Sequence, residues 1–297
     1  MSELAADLRR ALEQDELMVL YQPIVDLVTL QIVGAEALLR WRHPTRGLLP
    51  PDAFIPAAET SGQIVPIGAW TLAEACRCGQ AWRTGEHLDE RAGPGPGGAA
   101  GPGPGEAARP LPGPLPGIAV NVSGWQLRHA GFVANVRAAL ESSGLDPRAL
   151  LLELTETVLL KHRVVGTLER VRELGVGLAV DDFGTGHSSL DYLARFPLDA
   201  LKLDKSYVDL LDAGSAGKGS VGRGAALVRG IVLLGHSLGL RTIAEGVASV
   251  EQLRLLRALG CQRGQGRLFD GPLDAAALQS RLGARLGPFP DLKDGPA

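Results

Sequence analysis

Cysteine is scarce in this 297-residue chain, and its three residues cannot all pair. Cys76 and Cys78 have a single residue between them, without the two-residue gap and the second ligand pair of a zinc site. Free, mostly buried thiols are the expectation, and Cys78 shares an apolar helical stripe with Ile67, Ala75 and Trp82. The six histidines are scattered, with neither HxH nor HExxH spacing, which argues against a histidine-rich metal centre. A long apolar run is also missing. The opening MSELAADLRRALEQDELMVLYQ alternates charged and apolar residues at helical spacing and has neither the apolar core nor the cleavage site of a signal peptide. The most apolar later stretch, Ala225 to Leu240, is interrupted by Arg229, His236 and Ser237 and falls short of a membrane span. A cytoplasmic protein without a membrane segment is expected. Excess positive charge is absent too. A formal charge of -3 provides no broad field for nucleic acid, so DNA is not an expected partner, whereas a small phosphorylated ligand is compatible.

What is present, at 45% hydrophobic and 21% charged residues, suits one large core. A single domain over residues 1–297 is the reading, with two interruptions. Residues 91–117 collapse into Gly, Pro and Ala, too poor in large apolar groups to offset the entropy of ordering, and read as a disordered surface insertion. Residues 213–224 read as a second, shorter flexible insertion. Elsewhere short β-rich runs alternate with amphipathic helices: LMVLYQPIV, QIVGAEALL, GIAVNV, LLLELT, GLAVDD, ALKLD, RTIAEG and GRLF. Eight such runs suggest a closed α/β barrel. Val164, Leu168, Val171 and Leu174 mark one helical stripe, and Leu227, Ile231, Leu234 and Leu238 another. Gly175 and Gly239 are expected as C-terminal caps, and Ser249 with Gln252 has capping-box spacing.

In run after run one polar group stands at or near the C-terminal end: Glu36, Asn121, Glu153, Asp181 with Asp182, Lys202 and Glu245, with Gln265 just before the last run. In a parallel barrel these ends converge on one face. Five converging carboxylates repel one another unless cations neutralise them. All the donors are hard oxygens, which favours Mg²⁺ or Mn²⁺ over Zn²⁺. The adjacent aspartates suit a bridge between two divalent ions, about 3.5 to 4 Å apart in phosphodiester hydrolysis. Lys202 is one cation inside the acidic ring, placed to hold an attacking water or to balance charge. DDFGTGHSSL reads either as an ordinary turn into a helix capped by Ser188 or Ser189 or, the favoured reading, as a mobile loop hinged at Gly184 and Gly186 and anchored by Glu156 that sets the metal ligands. Asp204 fits either a supporting place beside the site or a purely structural one.

Together these segments resemble the EAL-domain family of bacterial cyclic di-GMP phosphodiesterases. The likeness runs from LRRALEQDELMVLYQPIV through GAEALLRWRHPTRGLLPPDAFIPAAETSG, AVNVSGWQL, LLELTET, VDDFGTGHSSL, LKLDKSYV and IAEGV to GQGRLF. It implies a modified TIM-type (β/α)8 barrel whose first strand is antiparallel, and hydrolysis of cyclic di-GMP to linear pGpG. By motif, Glu36, Asn121, Glu153 and Asp181 would hold one metal, and Asp181, Asp182 and Glu245 the second. Lys202 would orient or help deprotonate the water, Gln265 would support the metal-and-water network, and Glu156 would hold the loop. Gln22 and Arg40 match substrate-contacting positions, Arg40 suited to a phosphate oxygen. The alternative is a catalytically weak cyclic di-GMP receptor, although such modules usually lack a carboxylate or the lysine, and none is missing here. The resemblance also suggests a homodimer, and since the family commonly carries this domain behind sensory or diguanylate cyclase modules, the chain reads either as a piece of a longer regulated protein or as a stand-alone enzyme. Gln262, Arg263 and Arg267 stand where the family usually has Asp and tyrosines, and His187 where it usually has Tyr. Those departures are expected to bear on guanine packing or affinity.

Overall fold

In the computed structural model, residues 3–88, 117–161, 164–184, 191–212, 220–287 and 289 are described. Nine strands form one sheet: β1 (Leu17–Asp26), β2 (Ile32–His43), β3 (Gly47–Leu49), β4 (Gly117–Asn121), β5 (Leu150–Thr155), β6 (Gly177–Phe183), β7 (Ala200–Leu203), β8 (Arg241–Ala244) and β9 (Arg263–Gly264). The sheet order is β1-β9-β8-β7-β6-β5-β4-β2-β3, and an additional β1–β2 pairing closes eight of the strands into a barrel. From β2 round to β9 the neighbours in the barrel run parallel. β1 is antiparallel to both β2 and β9. This is the modified barrel with a reversed first strand.

Period-two alternation sorts the strand residues. Val25, Ala35, Ile118, Leu152, Val180, Leu201 and Ala244 face the helices and join the main core. Ile24, Val33, Ala119, Ala179, Ala200 and Ile243 pack in a cluster of their own that fills the lumen. Two residues further along the parallel strands the lumen side reads Asn121, Asp181, Lys202 and Glu245, so the apolar tier is the floor on which the polar groups stand. Burying each large aliphatic side chain in these cores contributes about 1.5–3 kcal/mol before the entropy of ordering is subtracted.

β2 extends beyond its expected end, so that Glu36 lies in mid-strand rather than at a terminus. The overhang pairs with β1 as far as Trp41 and carries the short β3, a strand not foreseen. A second core of Leu8, Trp41, Phe54 and Ile67 holds this overhang against the first helices. At the other end, the expected strand GRLF is a turn, and β9 is Arg263–Gly264 instead. Gly266, with φ of 151°, brings its backbone so close to Val247 that a Cβ would lie 2.2 Å from the Val247 oxygen, and the strand cannot continue.

The helix Ile64–Thr84 buries Ile67, Ala75, Cys78 and Trp82 together, as their spacing predicts. Gly175 and Gly239 both adopt positive φ, and Ser249 and Gln252 form a reciprocal capping box. One stripe is partly out of phase. Along the helix Ser220–Ser237 Ile231 and Leu234 pack on the core as expected, but the buried face also takes in Val228 and Val232, while Leu227 is 47% exposed and Leu238, just past the helix, 40%. Gly235 sets the rotation, because a Cβ there would lie 2.8 Å from Thr242 on β8. The insertion expected at 91–117 lies outside the described residues apart from Gly117, which opens β4. Of the one expected at 213–224, residues 213–219 lie outside them, whereas Ser220–Gly224 are helical. Gly224 permits this by lying where a Cβ would be 2.6 Å from the Leu210 carbonyl. No helix of the described residues is long and apolar enough to cross a membrane.

Candidate active site

Lys202 stands at the centre of the barrel mouth, fully buried. Its Nζ lies 2.7 Å from Glu153 Oε2, 2.7 Å from Glu245 Oε1, 3.1 Å from Asp181 Oδ1 and 3.5 Å from Glu36 Oε2. Five separate strands or strand ends thereby meet through one ammonium group. Amides complete the ring: Asn121 Nδ2 donates to Glu36 Oε1 at 2.6 Å, and Gln265 Nε2 donates to Glu36 Oε2 at 2.6 Å and Glu245 Oε1 at 3.3 Å. Glu245 and Gln265 lie just past their strands, yet the ladder still carries them. Glu245 N–H donates to the Leu203 carbonyl and Gln265 N–H to that of Ala244.

The charges are strongly coupled. Burial alone would discharge Lys202, but Glu153, Glu36, Glu245 and Asp181 outweigh it and hold its pKa well above the lysine range. Burial pushes the Glu153 carboxyl well above its ordinary value despite Lys202 beside it. Glu245 is raised to about 7 by burial, with Asp181 and Glu36 adding repulsion. Burial likewise acts to raise Glu36, yet Lys202 and the Gln265 and Asn121 hydrogen bonds together hold it below the usual carboxylate value. Asp182 is raised by burial, then by Asp181 and Asp204.

Such a ring has more negative charge than one ammonium can balance, and it fits a divalent cation. Asp181, Asp182 and Glu245 each place an oxygen within 4.8 Å of the others. Glu153 Oε1 and Gln265 Oε1 are buried without a hydrogen-bond partner among the described residues, spare oxygens in an acidic centre. Hard oxygen donors of this kind suit Mg²⁺ or Mn²⁺.

Behind β6, Glu156 Oε2 accepts from Gly184 N–H at 3.1 Å, and Tyr207 Oη donates to the Gly184 carbonyl at 2.8 Å. Asp182 sits at φ 52°, a strained conformation for a residue with a side chain. Residues 185–190, with Gly186 and His187, lie outside the described residues. Asp204 is engaged as the cap of the helix Lys205–Asp209, accepting from Ser206 N–H at 3.0 Å.

Beside the ring, under the β2 overhang, a cavity of about 420 Å³ is lined by Leu39, Ile55, Ile67, Val122 and Val158, with Asp52, Thr71, Asn121 and Glu153 among its polar groups. The motif GLLPPDAFIPAAETSG supplies one wall, but nothing in its spacing revealed a lining role. Tyr207 escaped notice for the same reason. Gln22 is half-buried and donates to the Asp270 carbonyl at 3.4 Å. Arg40 is half-buried in the overhang, where burial lowers its pKa and the charges of Glu36 and Asp52 oppose that shift. Arg267 is exposed on the turn after Gln265. Arg263 is across from Asp26 at the opposite end of the barrel, and the Gln262 side chain accepts from Thr242 N–H at 3.1 Å. The expectation that Gln262 and Arg263 bear on guanine packing at the mouth is therefore corrected.

The EAL domain family model matches residues 5–92 and 106–272. Over 278 residues the chain is 40% identical to the bifunctional diguanylate cyclase/cyclic di-GMP phosphodiesterase MucR of Pseudomonas aeruginosa, covering 93% of this chain and 36% of that protein. It is 39% identical over 284 residues to the cyclic di-GMP phosphodiesterase NbdA of the same organism, covering 95% and 32%. The chain thus spans about a third of the length of these curated relatives. The solved MucR phosphodiesterase in complex with c-di-GMP superposes with a TM-score of 0.77 at 39% identity, covering 93% of this chain and all of that one. With the barrel, its reversed first strand and the carboxylate ring at its mouth, this match establishes that the chain belongs to the EAL domain family.

Proposed function

We propose that this chain is a phosphodiesterase dependent on two divalent ions, Mg²⁺ or Mn²⁺, that hydrolyses cyclic di-GMP to linear pGpG. The observation that carries the reading is the ring of Glu36, Glu153, Asp181 and Glu245 around Lys202, with Asp182 beside it. Glu36, Asn121, Glu153 and Asp181 would hold one ion and Asp181, Asp182 and Glu245 the other. When bound, the ions supply Lewis-acid stabilisation of the phosphoryl oxygens and a more acidic water.

The protein's own groups do the positioning. Lys202, kept charged by its four carboxylates, donates to the attacking water and balances negative charge as it develops. That water adds to phosphorus while the P–O3′ bond breaks, O3′ gains a proton, and the product keeps a 5′-phosphate. Gln265 ties Glu36 to Glu245 and fixes their spacing. In this reading Arg40 would meet a non-bridging phosphate oxygen and Gln22 the ligand's polar edge, and the largely apolar cavity would take a base. Glu156 and Tyr207 hold Gly184, and through it the paired aspartates. The reading is of one EAL-type domain acting in the cytoplasm, within a larger regulated protein or as a dimer.

Glu36→Ala tests the site. It removes a metal donor and frees Asn121 and Gln265, and turnover of cyclic di-GMP should disappear while the circular dichroism of the fold persists. Near-normal turnover in that variant refutes the assignment. Tight binding of cyclic di-GMP by the unaltered chain without cleavage would favour a receptor instead.

A further inference from the structure

Towards the end of the barrel away from the carboxylates, β8 and β9 bring two arginines to the lumen face. Arg263 on β9 stands level with Ile243 of the lumen cluster and across from Asp26 on β1. Its neighbour Gly264 faces outward, since a Cβ there would meet Leu27 and Val247 of the outer core, so Arg263 faces inward. Arg241 precedes Ile243 by two residues on β8 and shares its face. Neither guanidinium has a hydrogen bond or ion pair with any described residue, although Arg263 is half-buried.

The nearest carboxylates are each engaged elsewhere through one oxygen. Asp26 Oδ1 is committed to the β1–β2 turn, accepting from Val28 N–H at 3.0 Å, Thr29 N–H at 2.8 Å and the Thr29 hydroxyl at 3.1 Å. Asp199, whose carbonyl accepts from Arg241 N–H, gives its carboxylate to Arg172 at 2.6 Å and to Leu178 N–H at 2.8 Å. Burial and the charge of Arg241 both act to lower the Arg263 pKa, and the attraction of Asp26 is the smaller influence. Arg241 and Arg263 thus share the lumen face on neighbouring strands, near enough for one charge to act on the other, and Arg263 is partly desolvated.

We propose that the N-terminal mouth of the barrel is a second ligand site, where Arg241 and Arg263 together bind a phosphate-sized oxyanion, as inorganic phosphate or as the head of a phosphomonoester. Each guanidinium offers a planar fork of N–H donors matched to tetrahedral oxygens. The site is separate from the catalytic mouth, whose carboxylate ring repels anions when metal is withheld.

The test is calorimetric titration of the purified chain with inorganic phosphate and, separately, glycerol phosphate, in EDTA at constant ionic strength. Saturable binding of phosphate is expected, weakened at least roughly tenfold by Arg263→Gln and by Arg241→Gln. Glycerol phosphate binding as well would support a site open to phosphomonoesters, and phosphate binding alone would support one limited to the free ion. Absence of saturable binding, or an affinity unchanged by both substitutions, overturns the proposal. Should Arg263→Gln fail to fold, the exposed Arg241→Gln decides the matter by itself.

Discussion

A single lysine stands among four carboxylates of the candidate site. Lys202→Met leaves Glu36, Glu153, Asp181 and Glu245 without their buried cation. Removing one partner from such a buried set costs about 3–5 kcal/mol, so urea denaturation in EDTA at pH 8 should show that loss, and added Mg²⁺ should restore part of it. Unchanged stability would mean that the ammonium is not the counter-charge. The thiols give a second test at this scale. Burial raises Cys76 and Cys78 from 9.0 to about 12 and Cys261 to about 11. The folded thiols therefore keep their protons where the unfolded ones lose them, and stability should erode as pH rises through 9. Labelling by a thiol reagent at pH 8 should be slow in the native chain and fast in urea. Rapid native labelling would contradict the burial. Most of the polar ring was legible because strand periodicity and barrel topology together bring Asn121, Glu153, Asp181 and Lys202 to one face. Arg263 was not, since its side of the strand follows from Gly264 packing against Leu27, a contact between distant segments.

Among the elements, the end of β6 is the most constrained. Gly184 has φ of 88°, and a Cβ there would lie 2.1 Å from the Tyr207 hydroxyl. Gly184→Ala should break the hydrogen bonds from Gly184 N–H to Glu156 and from Tyr207 to the Gly184 carbonyl, displacing Asp181 and Asp182. Metal affinity should fall by roughly 10–100-fold, the usual cost of losing groups that orient metal ligands, with little change in helix content. Calorimetric Mn²⁺ titration measures it, and an unaltered affinity would detach this turn from metal binding. Helix caps and most strands follow from local rules that need no tertiary contact, as the Ser249–Gln252 capping box illustrates. The exceptions arise where the tertiary structure overrides local pattern. β9 is short because Gly266 turns the chain against Val247, and the helix Ser220–Ser237 is rotated because Gly235 meets Thr242.

For the whole molecule, the barrel closes using strands on both sides of the Gly/Pro-rich segment: β2 pairs with β4 from Gly34–Gly117 onward. The family model itself omits residues 93–105. Deleting residues 92–116 should leave the far-ultraviolet circular dichroism and the thermal midpoint nearly unchanged, and an unfolded product would refute the insertion reading. The reversed first strand was legible only through resemblance, because periodicity carries no direction. The central claim is that the carboxylate ring hydrolyses a cyclic dinucleotide, and it is tested most directly by chromatography of the purified chain incubated with cyclic di-GMP and Mg²⁺ or Mn²⁺, alongside an EDTA control. The account predicts pGpG that accumulates with metal and vanishes with EDTA; intact cyclic di-GMP under every metal condition would contradict it.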